Sequence, residues 1–124
     1  MIVDDHAAFR RMVRTLLQTA GADPVECADG REALARYPEF RPDLVLMDIA
    51  MQGLDGLSAT AQIKARCPTA RIFILTQYDD PDLRAAALQA GAEGYLLKED
   101  LSQLPALVLS LAPAAQSPRT GQSR

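Results

Sequence analysis

Apolar residues follow two alternating patterns along the chain. Short continuous runs are typical of strands buried on both sheet faces, and recurrence at steps of three and four is typical of amphipathic helices. The strand-like segments are Met1–Val3, Pro24–Ala28, Asp43–Asp48, Arg71–Thr76 and Gly94–Lys98. A helical pattern follows each of them. The sequence therefore predicts an α/β fold, a doubly wound five-stranded parallel sheet with five helices.

Local signals mark several helix ends. Asp29 with Glu32 resembles a capping box, and Asp80 followed by Pro81 is typical of a helix start. Gly91 is placed to end the helix that begins there. These signals agree with the alternation of strands and helices.

One domain is expected over residues 1–112, with its last helix at Ser102–Leu111. The full length of 124 residues suits a single domain of ordinary size. From Pro113 onward Ala, Gln, Ser, Pro and Thr dominate, a composition that buries little apolar surface. Residues 113–124 are therefore predicted to form a disordered tail.

Charge and cysteine content narrow the class of function. The net charge is −3 and the pI is about 5.0, so we expect no DNA binding by this chain alone. No apolar run approaches the roughly 20 residues of a membrane span, and the first residues do not resemble a signal peptide. Cys27 and Cys67 fit no metal-binding spacing and are interpreted as reduced thiols. The expected location is cytoplasmic, with no membrane partner.

Polar side chains end four of the five predicted strands: Asp4 and Asp5, then Asp48, Thr76 and Lys98. The carboxyl ends of parallel strands meet at one edge of the sheet, where such folds place their working groups. Each pair of carboxylates within about 4 Å costs about 4 kcal/mol at an effective dielectric near 20. Either one carboxyl group holds a proton, or cations neutralise the cluster. Mg²⁺ beside an ammonium, with an Asp as nucleophile, suits phosphoryl transfer.

Short motifs at the strand ends occur in one order along the chain. They are Val3-Asp4-Asp5-His6, Met47-Asp48-Ile49-Ala50-Met51, Gly53, Asp55-Gly56, Leu75-Thr76, and Gly91-Ala92 with Gly94-Tyr95-Leu96-Leu97-Lys98. Over about Met1–Ala112 the chain resembles the response-regulator receiver domain of bacterial two-component signalling. It looks most like the branch that usually carries a C-terminal helix-turn-helix. The resemblance implies a flavodoxin-like strand order, 2-1-3-4-5.

The resemblance also implies roles for individual residues. Asp48 would accept phosphate from a histidine kinase or phosphotransfer protein, and Lys98 would contact the phosphoryl group. Thr76 would swing inward to hydrogen-bond that group, and Tyr95 would move with it as part of a switch. The implied Mg²⁺ ligands are Asp4, Asp5, Asp48 and the backbone carbonyl of Ala50.

The implied domain is a signalling module and not a metabolic enzyme. Its only expected catalysis is its own phosphorylation and dephosphorylation. The face formed by the fourth helix, fifth strand and fifth helix would change shape, and a homodimer through that face is a candidate assembly.

Three features depart from the usual pattern of the family. Gln77 stands where relatives usually carry a small residue, which predicts an altered phosphate lifetime. Lys98 is followed by Glu99 instead of Pro, so a cis peptide there is not assumed. Only three residues precede Asp4, a short central strand, so the native start is expected upstream of Met1.

Two alternatives stay open at this stage. The first is a degenerate receiver, which would bind partners without phosphorylation. This alternative stays open because Gln77 is unusual at its position. A Mg²⁺-dependent phosphatase with an Asp nucleophile would typically carry a second acid two residues later. His6 follows Asp4 at that spacing and Ala50 follows Asp48, which disfavours the phosphatase. His6 itself is expected to be an exposed polar residue.

Overall fold

A computed structural model of the chain describes residues 1–51 and 53–116. The strands are β1 (Ile2–Val3), β2 (Glu26–Cys27), β3 (Val45–Met47), β4 (Ile72–Thr76) and β5 (Gly94–Leu97). The helices are α1 (Ala7–Thr19), α2 (Gly30–Phe40), α3 (Gly56–Arg66), α4 (Pro81–Ala90) and α5 (Leu104–Gln116). All strand pairs are parallel, in the order β2-β1-β3-β4-β5. The predicted fold class, strand order and alternation with five helices are confirmed.

Apolar side chains from both sheet faces are buried under helices. Beneath α1 and α5 the core consists of Ile2, Val13, Leu17, Leu44, Leu46, Leu75 and Leu104. Beneath α2, α3 and α4 it includes Val3, Ala33, Val45, Met47, Ala59, Ile63, Ile72, Ile74 and Ala87. Each large aliphatic side chain buried in this way contributes about 1.5–3 kcal/mol to folding. Because both faces are covered, the strands read as continuous apolar runs.

The central strand β1 is short, but its hydrogen bonds continue beyond it. The Asp4 backbone N–H donates to the Cys27 carbonyl at 3.1 Å. The Asp48 backbone N–H donates to the Val3 carbonyl at 2.9 Å. These bonds hold the residues that follow β1 and β3 side by side at the carboxyl edge.

Capping interactions fix where α2 and α4 begin. The Asp29 carboxylate accepts the Glu32 backbone N–H at 2.8 Å, as predicted. The returning bond comes from the Ala28 N–H to Glu32 Oε1 at 2.7 Å, one residue earlier than in a standard capping box. Asp80 caps α4, and Pro81 is its first helical residue.

The last helix differs from its predicted bounds. It begins at Leu104 and not at the predicted Ser102, because Ser102 lies in a turn where its hydroxyl donates to the Asp100 carboxylate at 2.6 Å. Pro105 then fits the first helical turn. It also includes positions 113–116, which the sequence analysis assigned to the tail. The remaining tail positions, 117–124, lie outside the described residues. Within the described part, no helix combines the length and apolar character needed to cross a membrane.

Candidate functional site

Three carboxylates meet at the carboxyl edge of the sheet. Asp4 follows β1 and Asp48 follows β3, and these two strands are neighbours in register. Asp4 is 2% exposed and Asp48 is 4% exposed, whereas Asp5 faces solvent. Side-chain ligand atoms of Asp4, Asp5, His6 and Asp48 all lie within 4.8 Å of one another. The structure therefore brings together the acids that the strand ends predicted.

Lys98 joins the two buried acids. Its ammonium donates to Asp4 Oδ2 at 2.6 Å and lies 3.5 Å from Asp48 Oδ1. The Phe9 ring covers the ammonium from one side, with its centroid 4.5 Å away. With 15% of its side chain exposed, Lys98 is far from a freely solvated surface charge.

The electrostatic balance of the pocket stays negative, because three carboxylates face one ammonium. Burial, and then repulsion by Asp4, raise the pKa of Asp48 to about 6, against the lowering effect of Lys98. At neutral pH Asp48 is therefore mainly ionised, but closer to protonation than an ordinary Asp.

Two residues for which the sequence predicts no role in the site hold the loop after β1. The His6 backbone N–H donates to Asp4 Oδ1 at 2.8 Å, and its ring Nδ1 lies 3.0 Å from Asp5 Oδ1. Arg10 donates to the Asp4 backbone carbonyl at 2.6 Å and pairs with Glu26 at 3.0 Å. Arg10 is one helical turn beyond the Asp-Asp-His motif, and that spacing is the sequence signal that could have identified it.

Helix α3 lies close to the site because its first residue, Gly56, packs against the Asp48 backbone. A Cβ atom on Gly56 would lie 1.9 Å from the Asp48 backbone oxygen, so only glycine lets the backbones approach this closely. The Asp55 carboxylate caps the helix by accepting the Ser58 N–H at 2.9 Å. This close contact fixes the loop that follows Asp48.

Thr76 and Tyr95, the predicted switch residues, contact the same backbone segment. The Tyr78 backbone N–H donates to the buried Thr76 Oγ1 at 3.3 Å, and the Tyr95 hydroxyl donates to the Tyr78 carbonyl. The Arg84 guanidinium lies 4.6 Å from the centroid of the Tyr95 ring. Tyr95 is buried in this arrangement, and Tyr78 connects it to Thr76.

The remaining predicted positions lie around the pocket. Ala50 is exposed in the loop after β3, and Gln77 is exposed directly after β4. The Lys98–Glu99 peptide is trans. The roles of Ala50 and Gln77 stay predictions.

A doubly wound sheet with an acidic pocket and a lysine at its carboxyl edge defines a class of α/β protein suited to phosphoryl chemistry. The response regulator receiver domain family matches residues 1–109 of this chain. The chain therefore belongs to that family and is the receiver domain of a two-component response regulator. The predicted family is confirmed.

Relatives support this assignment. The response regulator protein VraR of Staphylococcus aureus is 39% identical over 100 residues, which are 79% of this chain and 48% of VraR. The chain thus spans about half the length of that relative. A LuxR-family two-component response regulator from Aurantimonas sp. SI85-9A1 has a TM-score of 0.79 and 35% identity, covering 96% of this chain and 84% of that one. A chain of the CheX-CheY-BeF3-Mg²⁺ complex from Borrelia burgdorferi has a TM-score of 0.77 and 26% identity, covering 92% and 85%.

The donor set of the pocket fits a hard divalent cation. Asp4, Asp5 and Asp48 offer carboxylate oxygens close enough to share one ion. The excess negative charge at this edge of the sheet also favours binding of a divalent cation. These residues therefore fit the Mg²⁺ that the family resemblance implies.

Proposed function

We propose that this receiver domain accepts a phosphoryl group on Asp48 from a histidine kinase or phosphotransfer protein. The observation that carries the proposal is the position of Asp48: a buried carboxylate beside Lys98 and close to Asp4 and Asp5, with a pKa of about 6. At neutral pH this carboxylate is ionised and able to attack phosphorus.

The transfer is a displacement at phosphorus. An Asp48 oxygen forms a bond to the phosphorus of the donor, and the bond between phosphorus and the donor nitrogen or oxygen breaks. The product is an acyl phosphate. A leaving histidine nitrogen takes a proton from solvent, whereas a leaving carboxylate departs as its anion. The Lys98 ammonium, 3.5 Å from Asp48 Oδ1, lies where it stabilises negative charge on the phosphoryl oxygens.

The acidic pair serves the same step by holding a cation. Asp4, Asp5 and Asp48, with the Ala50 carbonyl, would hold Mg²⁺, and the ion would supply positive charge to the phosphoryl oxygens. The matched complex from Borrelia burgdorferi, which contains BeF3 and Mg²⁺, is consistent with this assignment. Arg10 and His6 keep the loop after β1 in place through their bonds to Asp4.

The response to phosphorylation would run through the Tyr78 backbone. Turning the Thr76 hydroxyl toward a phosphoryl group would break its bond to the Tyr78 N–H, and Tyr95 would lose its fixed partner. The face of α4, β5 and α5 would then rearrange. Leu88 on α4 and Leu109 on α5 are exposed large apolar residues there, which supports a homodimer or another protein partner at this face.

The test is phosphorylation by acetyl phosphate or phosphoramidate, followed by intact mass spectrometry. We expect the mass of one phosphoryl group to be added with Mg²⁺ present, and no gain in EDTA or in Asp48→Asn. A matched control, Asp55→Asn, changes a nearby acid that caps α3, and it should still be phosphorylated. No gain in folded protein, with either donor or with a histidine kinase, would favour the degenerate receiver.

A further inference from the structure

The His6 ring faces the acidic pocket from its solvent side, and no helix-capping contact explains this orientation. His6 is the N-cap residue of α1, with extended backbone angles (φ −96, ψ 102), yet its side chain makes no capping hydrogen bond. The ring turns instead toward the carboxylates, with Nδ1 3.0 Å from Asp5 Oδ1 and 3.3 Å from Asp4 Oδ1. Its side chain is 73% exposed, so packing does not force this orientation.

The position of Nδ1 suits a ligand of the same ion that the carboxylates hold. Two neighbouring ligands on an ion with ligand distances of about 2.1 Å are about 3 Å apart. The separations of Nδ1 from the two Asp oxygens have this size. Asp4 is already fixed by Lys98 and by the His6 backbone N–H, so the ring lies beside a fixed carboxylate.

We propose that His6 Nδ1 is a direct ligand of the divalent ion in this pocket. Three carboxylates alone favour hard ions such as Mg²⁺, whereas an added imidazole favours Co²⁺, Ni²⁺ and other first-row transition metals. The pocket would therefore bind these ions more tightly, relative to Mg²⁺, than an all-oxygen site. This inference rests on the proposed function only in placing the ion among Asp4, Asp5 and Asp48.

The experiment uses the fact that the chain contains one histidine. Untagged protein consisting of these 124 residues is loaded with Mn²⁺, and electron spin-echo envelope modulation detects nitrogen bound to the ion. Any histidine nitrogen coupling then comes from His6, and ¹⁵N-labelled histidine confirms the source. His6→Asn is the main variant, because Asn is a preferred N-cap residue and leaves the start of α1 intact. His6→Ala and Asp5→Asn complete the set, and calorimetry gives the Mg²⁺ and Co²⁺ affinities of each protein.

We expect nitrogen coupling in the wild type and none in His6→Asn. Co²⁺ affinity should fall about tenfold or more in both His6 variants, the size of change seen when a metal site loses a supporting group, while Mg²⁺ affinity changes about twofold at most. Asp5→Asn should weaken both ions. Bound Mn²⁺ without nitrogen coupling, or equal losses for Mg²⁺ and Co²⁺, would overturn the role of His6 and leave the proposed function standing. Failure of the wild type to bind any of these ions would overturn both.

Discussion

The Lys98 ammonium lies 2.6 Å from a carboxylate oxygen of Asp4, a residue 94 positions earlier in the chain. It is closer to Asp4 than to Asp48, from which it is 3.5 Å away. The Lys98 ammonium thus interacts with two buried carboxylates, which follow two neighbouring strands at the same edge of the sheet. The fold brings these charges together, and the repulsion between the buried carboxylates is an electrostatic cost to the metal-free domain.

Removing this cation should destabilise the metal-free domain. Lys98→Met leaves Asp4 and Asp48 buried without their ammonium, and breaking a buried pair in this way costs about 3 kcal/mol. We expect a lower free energy of unfolding in urea with EDTA at neutral pH, and slower phosphorylation. Lys98→Arg keeps the charge and should retain most of the stability. Equal stability of Lys98→Met and wild type would contradict this account of the pocket.

The pH dependence of the free energy of unfolding should reveal that folding disfavours the ionised form of Asp48. Its pKa rises from the ordinary 3.8 to about 6 on folding, so the folded state holds the proton more tightly than the unfolded state. The contribution of Asp48 to the stability of the metal-free protein should therefore fall by about 2 kcal/mol as the pH rises from about 4 to about 7.

Asp48→Asn has no such loss, so its stability relative to wild type should grow over the same pH range. Urea unfolding of both proteins in EDTA measures this difference, and other titrating groups cancel between them. Saturating Mg²⁺ should shrink the difference at neutral pH, because the ion binds the folded wild type. A difference that does not change with pH would show that Asp48 titrates normally.

Gly56 should be necessary for the geometry of the loop after Asp48. In Gly56→Ala the added Cβ would meet the Asp48 backbone oxygen at 1.9 Å, and this neighbour is backbone that must move. We expect destabilisation of about 1–3 kcal/mol, as for other overpacked sites, with a slower phosphorylation rate. Ala61→Gly, on the exposed side of the same helix, controls for helix propensity and should leave the rate unchanged. A Gly56→Ala protein with normal stability and rate would refute the close-contact argument.

Tyr95 should matter for the response and not for the chemistry. Tyr95→Phe loses the hydrogen bond to the Tyr78 carbonyl, worth about 1 kcal/mol, but keeps the ring beneath Arg84. We expect phosphorylation within about twofold of wild type, from so small a local change. Hydrogen exchange is the informative measurement: the change on phosphorylation at β5 and α4 should be reduced in Tyr95→Phe. The control Tyr37→Phe, on α2, should show the same change in hydrogen exchange as wild type. A full change in Tyr95→Phe would show that Tyr95 is not part of the switch.

The sequence predicted that the main acids and Lys98 lie at one edge of the sheet, because the apolar runs show where the strands end. Asp48 ends an apolar run, and Asp4 and Asp5 follow one, so parallel pairing alone brings them to one edge. The order 2-1-3-4-5 came from the family resemblance, since apolar periodicity does not specify which strands are neighbours.

Side-chain direction could not be predicted in the same way. His6 was expected to be an ordinary exposed residue, and it is exposed, yet its ring turns back to the carboxylates. Arg10 lies one helical turn beyond the Asp-Asp-His motif, a spacing that places it near the motif but does not show that its guanidinium contacts the Asp4 carbonyl. Helix α5 begins two residues later than predicted because the turn at Asp100 depends on a local side-chain hydrogen bond.

The most direct test of the central claim is to locate the phosphoryl group. After phosphorylation with Mg²⁺, borohydride reduces an aspartyl phosphate to homoserine, and peptide mass spectrometry identifies the altered residue. We predict homoserine at position 48 and an unmodified Asp at positions 4 and 5. Homoserine at position 4 or 5, with Asp48 unchanged, would contradict the assignment of Asp48 as the phosphoryl acceptor.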